Sequence, residues 1–208
     1  MRYKLAIFDF DGTLANSFSW FLRVANQAAD RYGFLRIDDA NRDMLRGQDA
    51  RQIIRHLRLP AWKMPLVARF MRRQMHIDAG DIPLYAGTDQ MLEELSRRGV
   101  RLAIVSSNSE QNIRRILGPR LAGLIQHYGC GASLFGKPRL LRRVLRAAGV
   151  QPAEALCIGD EIRDLRAAHV VGIPFGAVAW GFTRIESLEA HAPREVFSHV
   201  DQIPRTFT

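Results

Sequence analysis

Two aspartates one residue apart are the side chains of this sequence best placed to do chemistry. Asp9 and Asp11 follow a short apolar run, Leu5 to Phe8, and precede Gly12 and Thr13. Neighbouring carboxylates can divide the work of a nucleophile and of a general acid and base, and their oxygens also suit a divalent cation. Gly12 permits a sharp turn, and Thr13 can satisfy backbone groups within it.

The element that must position this acidic pair is a strand. The run Leu5 to Phe8 predicts a strand buried on both faces, as in a parallel sheet covered by helices. An Asp-Gly pair between apolar residues also suggests a β-hairpin. Phe18 to Arg31, however, carries apolar residues at helical spacing. The order is therefore strand, acidic turn and helix, which favours a ligand site at the carboxyl end of a strand.

A second predicted strand, Val100 to Val105, ends in small polar residues. Ser106, Ser107 and Asn108 follow it and precede a helix that contains Ile113 to Leu117. Such a segment is an ordinary helix cap, or it holds a phosphate oxygen with a hydroxyl and free backbone amides.

A third predicted strand, Ala155 to Ile158, ends in acidic residues. Asp160 follows Gly159 and can supply a hard oxygen ligand to a metal ion. Asp164 lies one helical turn later and faces the same side. Taken alone, Asp164 and Glu161 are also explained as helix-start acids that favour the macrodipole.

A single lysine is held between Gly136 and Pro138. Lys137 is one of only three lysines in an arginine-rich chain. Its compact ammonium group can contact a carboxylate and phosphate oxygens together. We predict the following helix over Arg139 to Ala148 and a short strand at Leu124 to His127.

Taken in their order along the chain, these four segments resemble the signatures of the haloacid dehalogenase-like hydrolase superfamily, and most closely its cap-bearing phosphoglycolate phosphatase-like members. The resemblance rests on Asp9 to Leu14, Ser106, Lys137 and the Gly-Asp-x-x-x-Asp pattern from Gly159 to Asp164. It implies an α/β fold with a Rossmann-like parallel sheet, helices on both faces, Asp9 on the central strand, and a small all-helical cap.

The resemblance also implies a role for each matching residue. Asp9 would attack phosphorus, Asp11 would act as general acid and base, and Ser106 and Lys137 would stabilise the transferring oxygens. Mg²⁺ would be held by Asp9, by Asp11 through its carbonyl and by Asp160, with Asp164 as a supporting acid and no assigned role for Glu161. The predicted substrate and phosphate ligands are Gly12, Thr13, Ser106, Ser107, Asn108, Lys137, Arg46 and Arg51.

The segment between the first two signatures contains no predicted strand. Its glycine and proline breaks and the spacing of its apolar residues predict four helices, at Ser17 to Tyr32, Asp39 to Arg46, Ala50 to Leu57 and Pro65 to Ala79. We therefore predict that residues 15–83 form a helical cap and that residues 1–14 and 84–208 form the Rossmann-like catalytic core. A cap of this kind closes over a site and selects substrates.

The function predicted from the residues and the resemblance is Mg²⁺-dependent hydrolysis of a small phosphorylated metabolite, with phosphoglycolate as the first guess. An acid two residues after the nucleophile is typical of the phosphatases and phosphomutases of the suspected family. A phosphomutase similar to β-phosphoglucomutase is the alternative, although its cap arginine would be expected one residue before Arg51. A basic regulatory or nucleic-acid-binding protein is a third reading.

The net charge of +9 in 208 residues would suit an anionic partner. The arginines are spread along nearly every predicted helix with acids among them, so we expect a solvated surface and no nucleic-acid partner. The sequence shows no leader or spanning segment, and Cys157 lies in an apolar run. We therefore expect a cytoplasmic protein with no membrane contact, as a monomer or homodimer.

Overall fold

One parallel sheet forms the centre of the fold in the computed structural model, which describes residues 3–131 and 136–207. Its strands are β1 Leu5–Phe8, β2 Arg101–Val105, β3 His127–Gly129, β4 Ala155–Gly159, β5 Phe175–Val178 and β6 Glu195–Phe197. They lie in the order β3-β2-β1-β4-β5-β6, and each neighbouring pair is parallel. β1 is thus central, and the carboxyl ends of β1, β2 and β4 lie side by side.

Residues 15–83, all of them described, contain helices and no strand; we call this segment the helical insert. Its α-helices are α1 Phe18–Tyr32, α2 Asp39–Leu45, α3 Ala50–His56 and α4 Met64–Asp78. The chain enters and leaves the insert through two paired connections. The Asn16 amide donates to the Pro83 carbonyl at 2.8 Å, and the Tyr85 amide donates to the Leu14 carbonyl at 2.9 Å.

Helices cover both faces of the sheet. They are α5 Thr88–Arg97, α6 Glu110–Ala122, α7 Lys137–Ala148, α8 Ile162–Val171 and α9 Ile185–Glu189. Ala6 and Phe8 of β1 belong to the core on the α5 and α6 side, while Leu5 and Ile7 belong to the core under α7, α8 and α9. The predicted α/β class with a two-sided parallel sheet is confirmed. Across the described ranges, no helix has the length and apolar character needed to cross a membrane.

The predicted elements are present, with differences at their ends. The four α-helices of the insert begin and end within one residue of the predicted bounds. The short strand predicted at Leu124 to His127 lies instead at His127–Gly129, and β6 was not predicted. Helix α7 begins at Lys137 rather than at Arg139, because a proline fits the first turn of a helix. The division into cap and core stays a prediction.

Candidate active site

The turn after β1 carries Asp9 and Asp11 at the edge where the parallel strands end. The Asp9 amide donates to the Ile158 carbonyl of β4 at 2.8 Å, so Asp9 is held in line with the sheet. Gly12 has a φ of +80°, and a Cβ there would lie 2.3 Å from Oδ2 of Asp160. Only glycine combines this left-handed conformation with so close an approach. The turn thereby brings the chain against the end of β4.

Lys137 joins two buried carboxylates across the sheet edge. Its Nζ lies 2.9 Å from Oδ1 of Asp9 and also contacts Oδ1 of Asp164. Burial raises the pKa of Asp9, but the positive charges of Lys137 and Arg163 outweigh it and hold that pKa below its ordinary value. Burial lowers the pKa of Lys137, but the two carboxylates outweigh it and raise the pKa. Asp9 is therefore an ionised carboxylate beside an ammonium ion.

Asp160 is fully buried and is held from two directions. Thr13 Oγ1 donates to its Oδ1 at 2.7 Å, and the Phe182 amide donates to its Oδ2 at 2.8 Å. Burial raises the pKa of Asp160 well above its ordinary value, and the charges of Glu161 and Asp9 raise it further. The protein alone thus leaves this carboxylate short of positive charge.

The donor set fits a hard divalent cation. Asp9, Asp160 and Asp164 each offer a carboxylate oxygen within 4.8 Å of the others. Oδ2 of Asp164 is buried and has no hydrogen-bond partner among the described residues. Burial and the charge of Asp9 raise the pKa of Asp164 to about 8. Clustered carboxylates with an unpartnered oxygen are the ligands that Mg²⁺ prefers.

Asp11 lies in a different environment from Asp9. Ser17 Oγ donates to its Oδ1 at 3.1 Å, and Asn108 Nδ2 donates to its Oδ2 at 3.2 Å. Burial raises the pKa of Asp11 to about 6, and the charge of Asp9 contributes to the rise. Two carboxylates from one turn therefore have opposite pKa shifts, which suits a nucleophile and a proton carrier.

The polar segment after β2 divides its tasks among its residues. Ser109 caps α6 by accepting from the Asn112 amide at 3.2 Å, whereas Ser106 is buried at the strand end and accepts from the Asn108 amide at 3.1 Å. Oδ1 of Asn108 accepts from the Ser109 amide and from Asn112 Nδ2, so its own amide group is aimed at Asp11. Ser107 is half-buried beside it. The helix-cap reading thus applies to Ser109.

The two arginines predicted to bind substrate lie in different settings. Arg46 Nε donates to the Phe182 carbonyl at 3.0 Å, and its Nη2 donates to the Gly181 carbonyl at 3.1 Å. Its guanidinium also lies 5.2 Å from the ring centre of Phe18. Arg51 is exposed on α3. The structure therefore uses Arg46 to join the helical insert to the loop after β5, and substrate binding by Arg51 stays a prediction.

Two residues at the site were not identified from the sequence. Ser17 stands at the start of α1, where a serine is typical of a cap, yet its hydroxyl is directed to Asp11 and makes no cap hydrogen bond. Arg163 forms an ion pair with Glu161, and its Nε is buried, 4.0 Å from Oδ1 of Asp164. Glu and Arg near each other at a helix start are typical of an exposed ion pair, so no sequence signal distinguished Arg163 from a surface arginine.

Comparisons with known proteins agree with this geometry. The family model described as haloacid dehalogenase-like hydrolase matches residues 6–178. A phosphoglycolate phosphatase of Synechococcus elongatus is 36% identical over 188 residues, which is 90% of this chain and 89% of that protein. A haloacid dehalogenase-like family protein from Streptococcus pneumoniae has the same fold, with a TM-score of 0.82, 18% identity and coverage of 100% and 99%. So has CbbY from Rhodobacter sphaeroides, solved in complex with phosphate, with a TM-score of 0.75, 22% identity and coverage of 97% and 96%.

Proposed function

The chain belongs to the haloacid dehalogenase-like hydrolases and is a phosphatase of that family, and from this premise we propose that it hydrolyses phosphomonoesters through an aspartyl-phosphate on Asp9, with Mg²⁺ as cofactor. One observation carries the proposal. Asp9 is buried and paired with Lys137, while Asp11, two residues later, has the opposite pKa shift.

The first half of the reaction transfers the phosphoryl group to the enzyme. A carboxylate oxygen of Asp9 forms a bond to phosphorus while the bond from phosphorus to the ester oxygen breaks. Asp11 gives its proton to that leaving oxygen, so the product is a neutral alcohol. Lys137 and the Ser106 hydroxyl are proposed to stabilise the phosphoryl oxygens during the transfer.

The second half releases phosphate. Asp11, now ionised, takes a proton from a water molecule whose oxygen attacks phosphorus, and the bond to Asp9 breaks. The hydrogen bonds from Ser17 and Asn108 hold the Asp11 carboxylate in one orientation through both halves. Gly12 and Thr13 are proposed to bind substrate oxygens through the turn, as are Ser107 and Asn108 through the segment after β2.

Mg²⁺ would be held by Asp9, the Asp11 carbonyl and Asp160, with Asp164 in support. When bound, the ion supplies positive charge against a phosphate ester that would otherwise repel the incoming carboxylate. The close approach of the Asp9, Asp160 and Asp164 oxygens supports this assignment. Thr13 and the Phe182 amide hold Asp160 in place from the side of the protein.

Phosphoglycolate is the first substrate to test, because the Synechococcus relative carries that name. The helical insert is proposed to act as a cap that encloses the ester. The test measures phosphate release from phosphoglycolate, β-glucose 1-phosphate and nucleoside monophosphates, with Mg²⁺ and with EDTA. We expect metal-dependent release from at least one of them. Isomerisation of the sugar phosphate without release of phosphate would indicate a phosphomutase. Neither phosphate release nor isomerisation would favour a regulatory role.

The nucleophile assignment has its own test. We expect Asp9→Asn and Asp11→Asn each to lower kcat by about 10³-fold or more, because each removes a charge with little change in volume. Asp201→Asn, at an exposed carboxylate far along the chain, is the matched control and should retain wild-type turnover. Circular dichroism would establish that each variant is folded. Substantial turnover by folded Asp9→Asn would contradict the mechanism.

A further inference from the structure

A cavity of about 760 Å³ connects the phosphoryl end of the site with the interior of the helical insert. Asp11, Ser107 and Asn108 line it at the sheet edge, Glu161, Arg163 and Phe182 line it from the segments after β4 and β5, and residues of the helical insert line most of the rest. While Asp9 attacks phosphorus, the ester oxygen departs on the side of Asp11, which gives it a proton. The leaving group therefore extends into this cavity.

The walls that surround the leaving group are mostly aromatic and aliphatic. Phe21, Leu22, Phe34, Ile53 and Met71 line the cavity and remain only partly buried against the small core of the insert. A polyhydroxylated leaving group would lose hydrogen bonds to water there without replacing them. A ring would instead gain from burial of apolar surface and from contact with the aromatic side chains.

The basic side chains that line the cavity do not provide a second anion site deep inside it. Arg46 is bound to backbone carbonyls, and Arg163 is paired with Glu161. Arg42 is paired with an aspartate of its own helix, and Arg72 is exposed. Arg72 has no ion-pair partner among the described residues, but its exposure places it where the cavity meets solvent, so a bisphosphate or a dianionic acid would find no such partner among the apolar side chains of the insert.

Two buried polar atoms of the lining lack a hydrogen-bond partner among the described residues: Nε of Arg163, near the carboxylates, and Oε1 of Gln48, in the helical insert. Oε1 of Gln48 is buried and accepts no hydrogen bond from any described residue. A buried acceptor without a donor costs free energy, and a ligand that supplies an N–H or O–H group would remove that cost. The occupant that fits is therefore apolar in bulk and carries one donor.

We propose that the preferred substrates are phosphomonoesters of largely apolar, ring-bearing alcohols with one hydrogen-bond donor, in addition to or in place of small acid phosphates. The inference rests on the proposed phosphatase function and adds to it the class of leaving group. The phosphoryl group is held at the sheet edge, the ring lies among the aromatic side chains of the insert, and the donor meets Gln48.

The first measurement compares kcat/KM for ethyl phosphate, cyclohexylmethyl phosphate, 2-naphthylethyl phosphate and phosphoglycolate. The first three are esters of primary alcohols, so their leaving groups are similarly basic and differ mainly in apolar size. We expect kcat/KM to rise by about tenfold or more from the ethyl to the naphthylethyl ester, because more apolar surface is buried. A preference for phosphoglycolate with no rise along the series would overturn the inference.

Variants of the cavity wall link the preference to the structure. Ala68→Phe, on α4, should fill the cavity and remove most of the preference for the naphthylethyl ester. Arg69→Phe places the same ring on the exposed side of that helix and should preserve the preference. Ala25→Leu, on α1, is the second filling variant if Ala68→Phe does not fold. A second pair of substrates tests the hydrogen bond to Gln48. The wild type should prefer indol-3-ylethyl phosphate, whose ring N–H is a donor, over its N-methyl analogue. Gln48→Leu should show no such preference.

Binding separates failure of this inference from failure of the proposed function. Folded Asp9→Asn should bind 2-naphthylethyl phosphate more tightly than ethyl phosphate in calorimetric titrations, and Ala68→Phe in that background should abolish the difference. Selective binding with no hydrolysis by the wild type would retain the ligand class and overturn the phosphatase proposal. Hydrolysis of phosphoglycolate with no selective binding would retain the phosphatase proposal and overturn the ligand class. Absence of both hydrolysis and selective binding would overturn both proposals.

Discussion

At the scale of single residues, the site depends on very close contacts around Asp160. Gly12 and Gly181 both approach this carboxylate, and a Cβ on Gly181 would lie 2.1 Å from the Asp160 Cβ. The amide of Phe182, the next residue, donates to Asp160. The loop after β5 therefore fixes an acidic side chain that follows β4. Asp160 is positioned by backbone that lies far from it in sequence.

The first prediction concerns this contact. Gly181→Ala should displace Asp160, lower phosphatase activity by about tenfold or more and destabilise the protein by about 2 kcal/mol, since neither backbone nor buried side chain can yield without strain. Gly80→Ala is the matched control, because a Cβ there meets nothing within 4 Å. Thermal unfolding and kcat measure the two effects. Equal behaviour of the two variants would contradict the prediction.

The second prediction concerns Arg163, whose charge faces the carboxylates from the start of α8. Arg163→Gln should raise KM about tenfold, because a phosphate ester binds by its negative charge and the cavity loses a nearby cation. Arg142→Gln removes an exposed arginine from α7 and should leave KM within twofold. The comparison uses steady-state kinetics at one ionic strength. A change in stability alone, with KM unaltered, would assign Arg163 to folding instead.

The sequence predicts acidic residues better than it predicts their partners. Asp9 and Asp11 could be identified because they are adjacent in the chain to a recognisable strand. The contact of Ser17 with Asp11 depends on the direction in which α1 leaves the turn, and that direction is not encoded in residue spacing. Arg163 and Gly181 become informative only when the loops that face β4 are known. Functional roles at all these positions stay predictions.

At the scale of elements, helix α3 has a second role beyond its own packing. Its cap residue Asp49 accepts from the Arg51 and Gln52 amides, each at 3.0 Å, and also pairs with Arg166 of α8 at 2.7 Å. The cap of one helix thus also forms a contact between the helical insert and α8, a helix that covers the sheet. Arg46 provides a second such contact.

The third prediction separates these roles of Asp49. Asp49→Ala should cost about 1 kcal/mol of stability through the lost cap, as should Asp38→Ala, which removes the cap of α2 with no partner on α8. Only Asp49→Ala should also change KM, because it loosens the insert beside the site. Urea unfolding and kinetics of both variants provide the comparison. A KM change of equal size in Asp38→Ala would contradict this assignment.

The same residue gives an expected pH dependence of stability. Partial burial raises the pKa of Asp49, but hydrogen bonds from the Gln52 amide and from Arg166 outweigh it and hold that pKa below its ordinary value. The contribution of Asp49 is therefore complete above the ordinary carboxyl range and is lost as pH falls through the lowered pKa. The stability difference between wild type and Asp49→Ala should shrink in acid.

Strands illustrate the limit of prediction at this scale. β1, β2 and β4 are mostly apolar runs, with Arg101 at the start of β2, and each was predicted nearly at its observed bounds. β3 and β6 have three residues each and lie at the two edges of the sheet, where one side is unpaired. Three residues are too few to show a period of two. Their pairing is determined by neighbouring strands rather than by their own sequence.

At the scale of the whole molecule, the charge of +9 is distributed rather than concentrated. Arginines pair with acids throughout the chain, as Arg23 does with Asp78, Arg36 with Asp30 and, within α6, Arg114 with Glu110. Pairs of this type add little to stability, but they interrupt any continuous positive surface.

The fourth prediction follows from that distribution. Random duplex DNA should bind more weakly than about 1 µM at physiological salt, with a shallow dependence of affinity on salt, because few phosphates can be neutralised at once. Fluorescence anisotropy over a range of salt concentrations measures both quantities. Submicromolar binding with a steep dependence of affinity on salt would contradict the prediction and favour a nucleic-acid-binding protein.

The paired connections at residues 14–16 and 83–85 have a consequence for how such an enzyme can diversify. Because the chain segments that enter and leave the helical insert are hydrogen-bonded to each other, the insert is a segment whose two ends are adjacent. A different inserted segment could be accepted at this point with the order of the strands and the acidic turn unaltered. Replacement of the insert could then change the substrate, while the residues that perform the reaction stay the same.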